Sequence, residues 1–335
     1  MTVASLNEIY AAVRLVGFWQ FASGGQNYLG VLERDADESH STLTILRSNE
    51  VRWERVKTIS NDDVTIRAID AAPIGGDLVF GLELNGEVAL ELAQVTLAAL
   101  LDPANRGVQF TPVAEINPTE AQAQRVDLPV VHKWNVAAPL PPARWLFSPQ
   151  FVRGAGTAQL IANTADGQAM LFAPTAQPDL ATFSIPNAAE PQAAIAHGER
   201  VVAFKRDAEP YYPFWSLPRY SGDKLPKSGD LMVATDPAAP RNLSRELSIG
   251  PVLAYQMTAA PDGALWIFAL IDASVGTDVV ALSQRGSAWA VAGRWSVDGE
   301  AQQISVEYGA EHWHLVYAVP DRRGWSLRYQ TWRAS

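Results

Sequence analysis

The sequence predicts an all-β fold in which mostly four-stranded antiparallel sheets repeat around an axis. Three observations carry the prediction: short runs rich in Val, Ile, Leu, Trp and Phe, small-residue turns between them, and recurrence of the unit at intervals of about 40 to 50 residues. The first unit contains "GFWQFASGGQNYLG", where Gly24-Gly25 joins two strands, then "STLTILRS" and "VRWERVKTI". The second, "VTIRAIDAAPIGGDLVFGLELNGEVALELA", turns at Gly75-Gly76 and at Asn85-Gly86, the latter a type I′ hairpin signal. The third, "PQFVRGAGTAQLIANTADGQAMLFAP", turns at Gly154 to Gly156 and at Asp166-Gly167, and the fourth, "PQAAIAHGERVVAFKRD", at His197-Gly198. The fifth is the clearest, with Asp262-Gly263, Gly276 and Arg285-Gly286 separating strand-length runs. The sixth runs "QQISVEYGA", "EHWHLVYAVPDRRG" and "WSLRYQTWRAS".

In each unit a strand ends in a small-residue turn and a more hydrophobic strand follows, starting near residues 78, 158, 200, 264 and 312. These hydrophobic strands are expected to be the inner ones. Six such units make a single β-propeller over residues 1–335, with seven blades as the alternative and long inserted loops near 118–143 and 207–230. The last unit shows three strands, so the first residues are expected to supply its fourth. Two local patterns compete with this. Ser5 and Glu8 form a capping box before "IYAAVRLVG", predicting a helix that ends at Gly17. "EVALELAQVTLAALLD" predicts a helix in place of an outer strand of the second unit.

"EHWHLVYAVPDRRGWSLRY" resembles the paired strands of bacterial β-propellers related to sialidases and lectins, and "PDGALWIFALID" resembles them less closely. The resemblance implies a propeller fold and brings no catalytic residues with it. The sialidase Asp box, Ser-x-Asp-x-Gly-x-x-Trp, has its nearest counterpart in "SQRGSAW", one residue short and without the Asp. No residues match a sialidase arginine cluster or Tyr/Glu pair.

Composition excludes some functions. The chain has 335 residues, 48% of them hydrophobic, and 26 Lys+Arg against 36 Asp+Glu give a net charge of −10. Such a chain lacks the basic field that phosphate binding needs, so nucleic acid is not an expected partner. The arginines of "DRRGWSLRYQTWR" alternate with aromatics as on a solvated strand face. Without cysteine there is no disulfide or thiolate chemistry. The opening residues do not have the pattern of a signal peptide, and the densest apolar run, "ALWIFALI", is too short to cross a bilayer. A soluble, cytoplasmic protein without membrane association and without a cofactor is the expectation.

His312 and His314 alternate around Trp313, so on a strand both imidazoles point to one face. With His132 and His197 they form the alternative metal set; otherwise such residues pack between blades and bond backbone. There is no HExxH, no calcium loop, no G-x-S-x-G elbow and no Walker lysine. Asp62-Asp63 sits at a turn, where solvated carboxylates are commonplace.

"EPYYPFWSLPRYSGDKLPKSGD", residues 209–230, is too rich in proline for a central strand and too aromatic for a flexible linker. Tyr211, Tyr212, Phe214, Trp215, Arg219 and Tyr220 have the composition of an interface anchor, or of a plug against their own propeller. The expected function is a noncatalytic scaffold that holds a protein or carbohydrate partner through one ring face and this loop. The alternative is a propeller hydrolase or lyase with a His-lined centre.

Overall fold

The computed structural model describes residues 2–3, 7–35, 40–49, 52–61, 66–84, 90–102, 104–105, 111–116, 124–125, 146–154, 160–164, 168–172, 184–186, 188–206, 228–236, 238–309 and 311–333. β1 (Thr2–Val3) and β2 (Asn7–Ala12) open the chain. The first sheet follows as β3 (Leu15–Ser23), β4 (Gln26–Arg34), β5 (Ser41–Ser48) and β6 (Trp53–Asn61). The second holds β7 (Ile66–Ile74), β8 (Asp77–Leu84), β9 (Leu90–Thr96), helix α1 (Leu97–Leu101), β10 (Thr111–Ile116) and β11 (Gln124–Arg125). The third holds β12 (Leu146–Phe151), β13 (Leu160–Thr164), β14 (Gln168–Phe172) and β15 (Ser184–Pro186).

In the fourth sheet, β16 (Ala189–Ala196), β17 (Glu199–Arg206), β18 (Asp230–Ala234) and β19 (Arg241–Asn242) lead into helix α2 (Leu243–Glu246). The fifth is β20 (Val252–Ala259), β21 (Leu265–Asp272), β22 (Thr277–Arg285) and β23 (Ala288–Val297). The sixth is β24 (Gln303–Gly309), β25 (His312–Asp321) and β26 (Gly324–Arg333), completed by β1 and β2, which both pair with β26.

Among the described strands, pairing follows chain order within each sheet except where β1 and β2 join β26, and the strand pairs are antiparallel. The first strands touch one another in a closed circuit, β3 to β7 to β12 to β16 to β20 to β24 and back to β3. This is an all-β fold in a β-propeller arrangement. Five blades are recognised in it, where the repeat spacing predicts six or seven. Hydrogen bonding separates six sheets, but they differ in regularity: β15 has three residues and β19 two.

The hydrophobic strands of the repeat are the second strands, one place out from the centre. Their alternate residues feed two different cores. Ile267, Ala269 and Ile271 of β21 pack toward the fourth sheet, while Phe268 and Leu270 pack toward the sixth. β17 does the same with Val201 and Ala203 on one side and Val202 and Phe204 on the other. A strand buried on both faces needs apolar residues at every position, which is why these runs lose their alternation. The first strands, expected to be less hydrophobic, are the ones at the axis.

Neither expected N-terminal nor second-unit helix displaces a strand. Residues 7–12 extend along β26, with Tyr10 opposite Leu327 and Ala11 opposite Ser326. An intact sheet edge satisfies their backbone better than an isolated helix would, so tertiary pairing overrides the capping-box signal. In the second unit, β9 keeps the third-strand position, and the helix is only the five residues of α1, capped by the Thr96 side chain accepting from Ala99 N. No helix among the described residues is long and apolar enough to cross a membrane.

Candidate functional site at the ring centre

Antiparallel order gives the ring two distinct faces. First strands start at one face, which also carries the connections between second and third strands. At the opposite face each first strand turns into its second, and these turns need left-handed backbone. Gly24, Gly75, Gly154, Gly198, Gly263 and Glu311 all have positive φ there. His197, at φ 50, belongs to the same set of turns and is exposed. A Cβ on Gly263 would lie 3.0 Å from its ring, so His197 covers the neighbouring turn.

The first strands are stitched to one another by one polar position. Asp70 Oδ2 accepts from Phe151 N at 2.7 Å, joining the second sheet to the third. Gln192 Oε1 accepts from Met257 N at 2.7 Å, Gln256 Oε1 from Val306 N at 3.1 Å, and Ser305 Oγ from Gln20 N at 3.0 Å. In β20 and β24 the accepting and donating residues are adjacent, Gln256 with Met257 and Ser305 with Val306. Carried around the ring, this register puts Gln150 at the accepting position of β12 and Trp19 at that of β3. Each latch satisfies a backbone N–H that a first strand would otherwise leave unpaired at its inner edge.

One latch is charged. Arg153, just beyond β12, donates from Nη2 to both Asp70 oxygens, at 2.9 and 3.1 Å, and its backbone bonds β16 through Ala193 O and Ile195 N. Across the axis, Glu307 of β24 sits two residues beyond the Ser305 latch. Burial pushes its carboxyl up to about 7, and the Arg153 guanidinium partly opposes that rise. The third and sixth sheets are not neighbours in the circuit, so Arg153 acts on Glu307 across the centre of the ring. Glu307 is thus half-buried, with its carboxyl raised by burial and the paired Arg153 cation opposing that rise. Toward the starting face, buried Lys205 donates to Leu253 O at 2.8 Å and pairs with Glu190 at 3.1 Å.

The histidines lie elsewhere. His312 and His314 are on β25, a second strand, and their imidazoles do sense each other. His314 is buried; Nε2 meets Gly309 O at 2.9 Å and Nδ1 meets the Tyr329 hydroxyl at 2.5 Å. A carbonyl only accepts, so Nε2 carries the proton and Tyr329 donates to Nδ1. Desolvation lowers the pKa of His314, and its ring is spent on packing and backbone bonding. His132 lies outside the described residues, as do Asp62, Asp63, Tyr211, Tyr212, Phe214, Trp215, Arg219 and Tyr220. Among the described residues, no three His, Cys, Asp or Glu side chains group as metal ligands. The arginines of β26 are engaged individually: Arg328 with Asp298 at 2.7 Å and Arg333 with Glu311 at 2.9 Å.

Sequence reasoning missed Asp70, Arg153, Gln192, Gln256 and Glu307. A signal for the latches existed: Asp70 and Gly75, Gln192 and His197, and Gln256 and Pro261 are each five residues apart, a polar residue at constant distance before the turn. Glu307 and Arg153 obey no such spacing.

No family model matches the chain, and no curated protein matches it in sequence. Solved structures do match in fold. An α-L-arabinofuranosidase from Fusarium graminearum, in complex with an iminosugar inhibitor, superposes with a TM-score of 0.58 at 10% identity, covering 99% of this chain and 98% of that one. A mutant of that enzyme gives 0.60 at 9% identity, with the same coverage. A Trypanosoma rangeli sialidase in complex with the inhibitor DANA gives 0.56 at 10% identity over 96% of this chain, which spans 55% of the sialidase. The expected noncatalytic scaffold is corrected by these likenesses, because the neighbours are enzymes. That expectation rested on missing motifs, and at such identity a shared fold persists without them. What the chain shares with the arabinofuranosidase and the sialidase is a β-propeller fold.

Proposed function

We propose that the chain is a glycoside hydrolase acting at the centre of its ring, with Glu307 as the general acid. The observation that carries the reading is the place of Glu307 on β24, one of the first strands around the axis, where burial pushes its carboxyl up to about 7. A general acid works best when its pKa lies near the operating pH, and raised carboxyl pKa values are the usual device of glycosidases. In the proposed step Glu307 gives its proton to the glycosidic oxygen as the C–O bond breaks, and water adds its hydroxyl to the freed anomeric carbon while its remaining proton returns to the Glu307 carboxylate. Asp70 is not assigned as nucleophile, since both its oxygens are taken by Arg153 and Phe151 N–H. It anchors Arg153.

The same reading takes the six hydrogen-bonded sheets as six blades of one domain, supported by the closed circuit of six first strands. Tyr211, Tyr212, Phe214, Trp215, Arg219 and Tyr220 belong to the connection between β17 and β18, which leaves and re-enters at the starting face. We assign them to sugar contact, where aromatic rings offer apolar surface and Arg219 a hydrogen-bonding fork.

Release of 4-nitrophenol or 4-methylumbelliferone from a panel of glycosides, including an α-L-arabinofuranoside and a sialoside, tests the proposal. Hydrolysis that drops by about 10²- to 10⁴-fold in Glu307→Gln supports it. A folded wild type that cleaves no member of the panel sinks it, and a Glu307→Gln enzyme as fast as wild type removes Glu307 from the role.

A further inference from the structure

The first and sixth sheets are fastened to each other twice. Close to the axis, Gln20 N donates to Ser305 Oγ at 3.0 Å, and the Gln20 side-chain amide donates to Ser305 O at 2.7 Å and to His314 O at 2.9 Å. Farther out, the arm made of β1 and β2 lies along β26, with Asn7 opposite Tyr329 and Ala12 opposite Trp325. The arm has side-chain bonds of its own: Ser326 Oγ donates to Glu8 Oε2 at 2.6 Å, and the Tyr10 hydroxyl donates to Glu33 Oε2 at 2.6 Å. The circuit of first strands is complete without the arm, since β24 touches β3 directly. The arm can therefore leave β26 while the Gln20 fastening still holds the two sheets. Only Val13 and Arg14 separate the end of β2 from the start of β3, and in those two residues the chain bends out of the sixth sheet into the first. The bend is crowded, because a Cβ on Gly324 would meet both Ala12 O and Val13 O. Val13 is also 68% exposed, one of three large hydrophobic residues so placed among the described residues. A β-branched residue favours extended backbone, so Val13 works against its own bend.

We propose that the β1–β2 arm exchanges between two copies of this chain, each arm leaving its own β26 and lying along the β26 of the other copy to form a closed, two-fold dimer. The fit of the arm identifies the occupant. An identical arm brings the same register, the same irregularity between Glu8 and Tyr10, and the same bonds to Ser326 and Glu33, so the contacts made along β26 re-form between the copies. A strand of any other sequence would lack them. What exchange gives up is confined to the hinge, where Val13 N donates to Glu33 Oε1 at 3.0 Å and Arg34 N donates to Arg14 O at 3.0 Å. What it gains is an extended hinge, with the hinges of the two copies side by side and each covering the Val13 of the other. Because the arm contacts cancel, the balance is set by the hinge and by the entropy of joining two molecules. The dimer is therefore favoured by concentration and by a shorter hinge. The inference goes beyond the hydrolase reading and does not depend on it.

The chain has no cysteine, so one introduced pair reports where each arm lies. Ala11 and Ser326 are opposed in register, and the double variant Ala11→Cys, Ser326→Cys joins arm to β26 by a disulfide. The full chain is refolded from denaturant at a low and at a high concentration, oxidised, and read by light scattering and by non-reducing denaturing gels. Exchange puts the disulfides of the dimer between two chains. Raising the concentration about tenfold should raise the dimer-to-monomer ratio by up to about tenfold while monomer predominates, in the cysteine-free chain as in the variant. Deleting Val13 leaves a hinge of one residue and should raise that ratio by about tenfold or more at fixed concentration, whereas inserting Gly-Ser-Gly after Val13 should lower it by a similar factor. A cysteine-free chain that stays monomeric at the high concentration overturns the proposal. So does a dimer whose disulfides all lie within single chains, since another surface then forms it. If the Val13 deletion does not fold, the insertion decides, and a dimer ratio that it leaves unchanged overturns the exchange.

Discussion

First and second strands of the same sheet lie side by side, yet they solve different problems. The second strand is enclosed by its own sheet on both edges and by neighbouring sheets on both faces. β21 accordingly buries Leu265 and every residue from Ile267 to Ile271, and β25 buries Trp313 through Val319. Among the described strands, the first strand has one edge without a partner strand, facing the axis, and meets it with latches, small residues and a few charged groups. Uniform packing makes second strands alike from sheet to sheet. Because only one latch position is constrained in a first strand, the others are left free for other groups, and Glu307 occupies such a position, with Arg153 just beyond the end of β12.

If that contrast is right, second-strand truncation has the largest effect. Phe268 is fully buried against Trp266, Trp313 and Trp332. Phe268→Ala is expected to lower stability by about 3 to 5 kcal/mol in chemical denaturation, through lost transfer energy and a cavity between the fifth and sixth sheets. Glu307→Gln comes next and has the opposite sign. The folded carboxyl titrates near 7 against an ordinary value of 4.5, so its ionisation is disfavoured in the fold. Stability linked to Glu307 is fully present below the unfolded value and is lost as pH rises through 7. The variant should therefore melt like wild type near about pH 4 and be more stable by about 2 to 3 kcal/mol above about pH 8. A gain at both pH values would show that packing, not charge, is responsible.

Gln192→Ala removes two bonds, to Met257 N and Tyr255 O. It should cost about 1 to 2 kcal/mol, because a buried N–H loses its acceptor, and amide exchange at Met257 should accelerate more than at its neighbours. The smallest effect is expected at Val275, 85% exposed in the turn between β21 and β22. Val275→Ser should stay within about 0.5 kcal/mol in the same denaturation series.

The sequence made the second strands legible and the first strands obscure, for a physical reason. Two-sided burial writes a continuous apolar run such as "ALWIFALI", and each run is preceded by a turn that needs positive φ, so repeat and turn reinforce each other. The hydrophobic runs therefore mark the second strands and not the innermost ones that the sequence pattern predicts, since apolarity reports enclosure and not distance from the axis. Ser5 and Glu8 have the spacing of a helix start, but β26 offers residues 7–12 an edge that no local pattern encodes. The latch was visible in principle as one polar residue five before the turn. Glu307 and Arg153 were not, because they are some 150 residues apart in sequence and meet only when the ring closes. His312 and His314 alternate along β25, and both ring nitrogens of His314 are taken up by Gly309 O and the Tyr329 hydroxyl.

The sixth sheet has a consequence for how the chain comes to be folded. β2 pairs with β26, and Ser326 Oγ donates to Glu8 Oε2 across 318 positions of sequence. During synthesis β2 has no partner until β26 has left the ribosome. For that whole interval it is an unsatisfied strand whose proper edge does not exist, while the edges of completed sheets stand open beside it. Closure of the ring is equally non-local, since β3 of the first sheet meets β24 of the sixth only once both have been made. A circular permutant joined from β26 to β1 and opened at the Arg285-Gly286 turn would place the partners next to each other in sequence and make their pairing a local one.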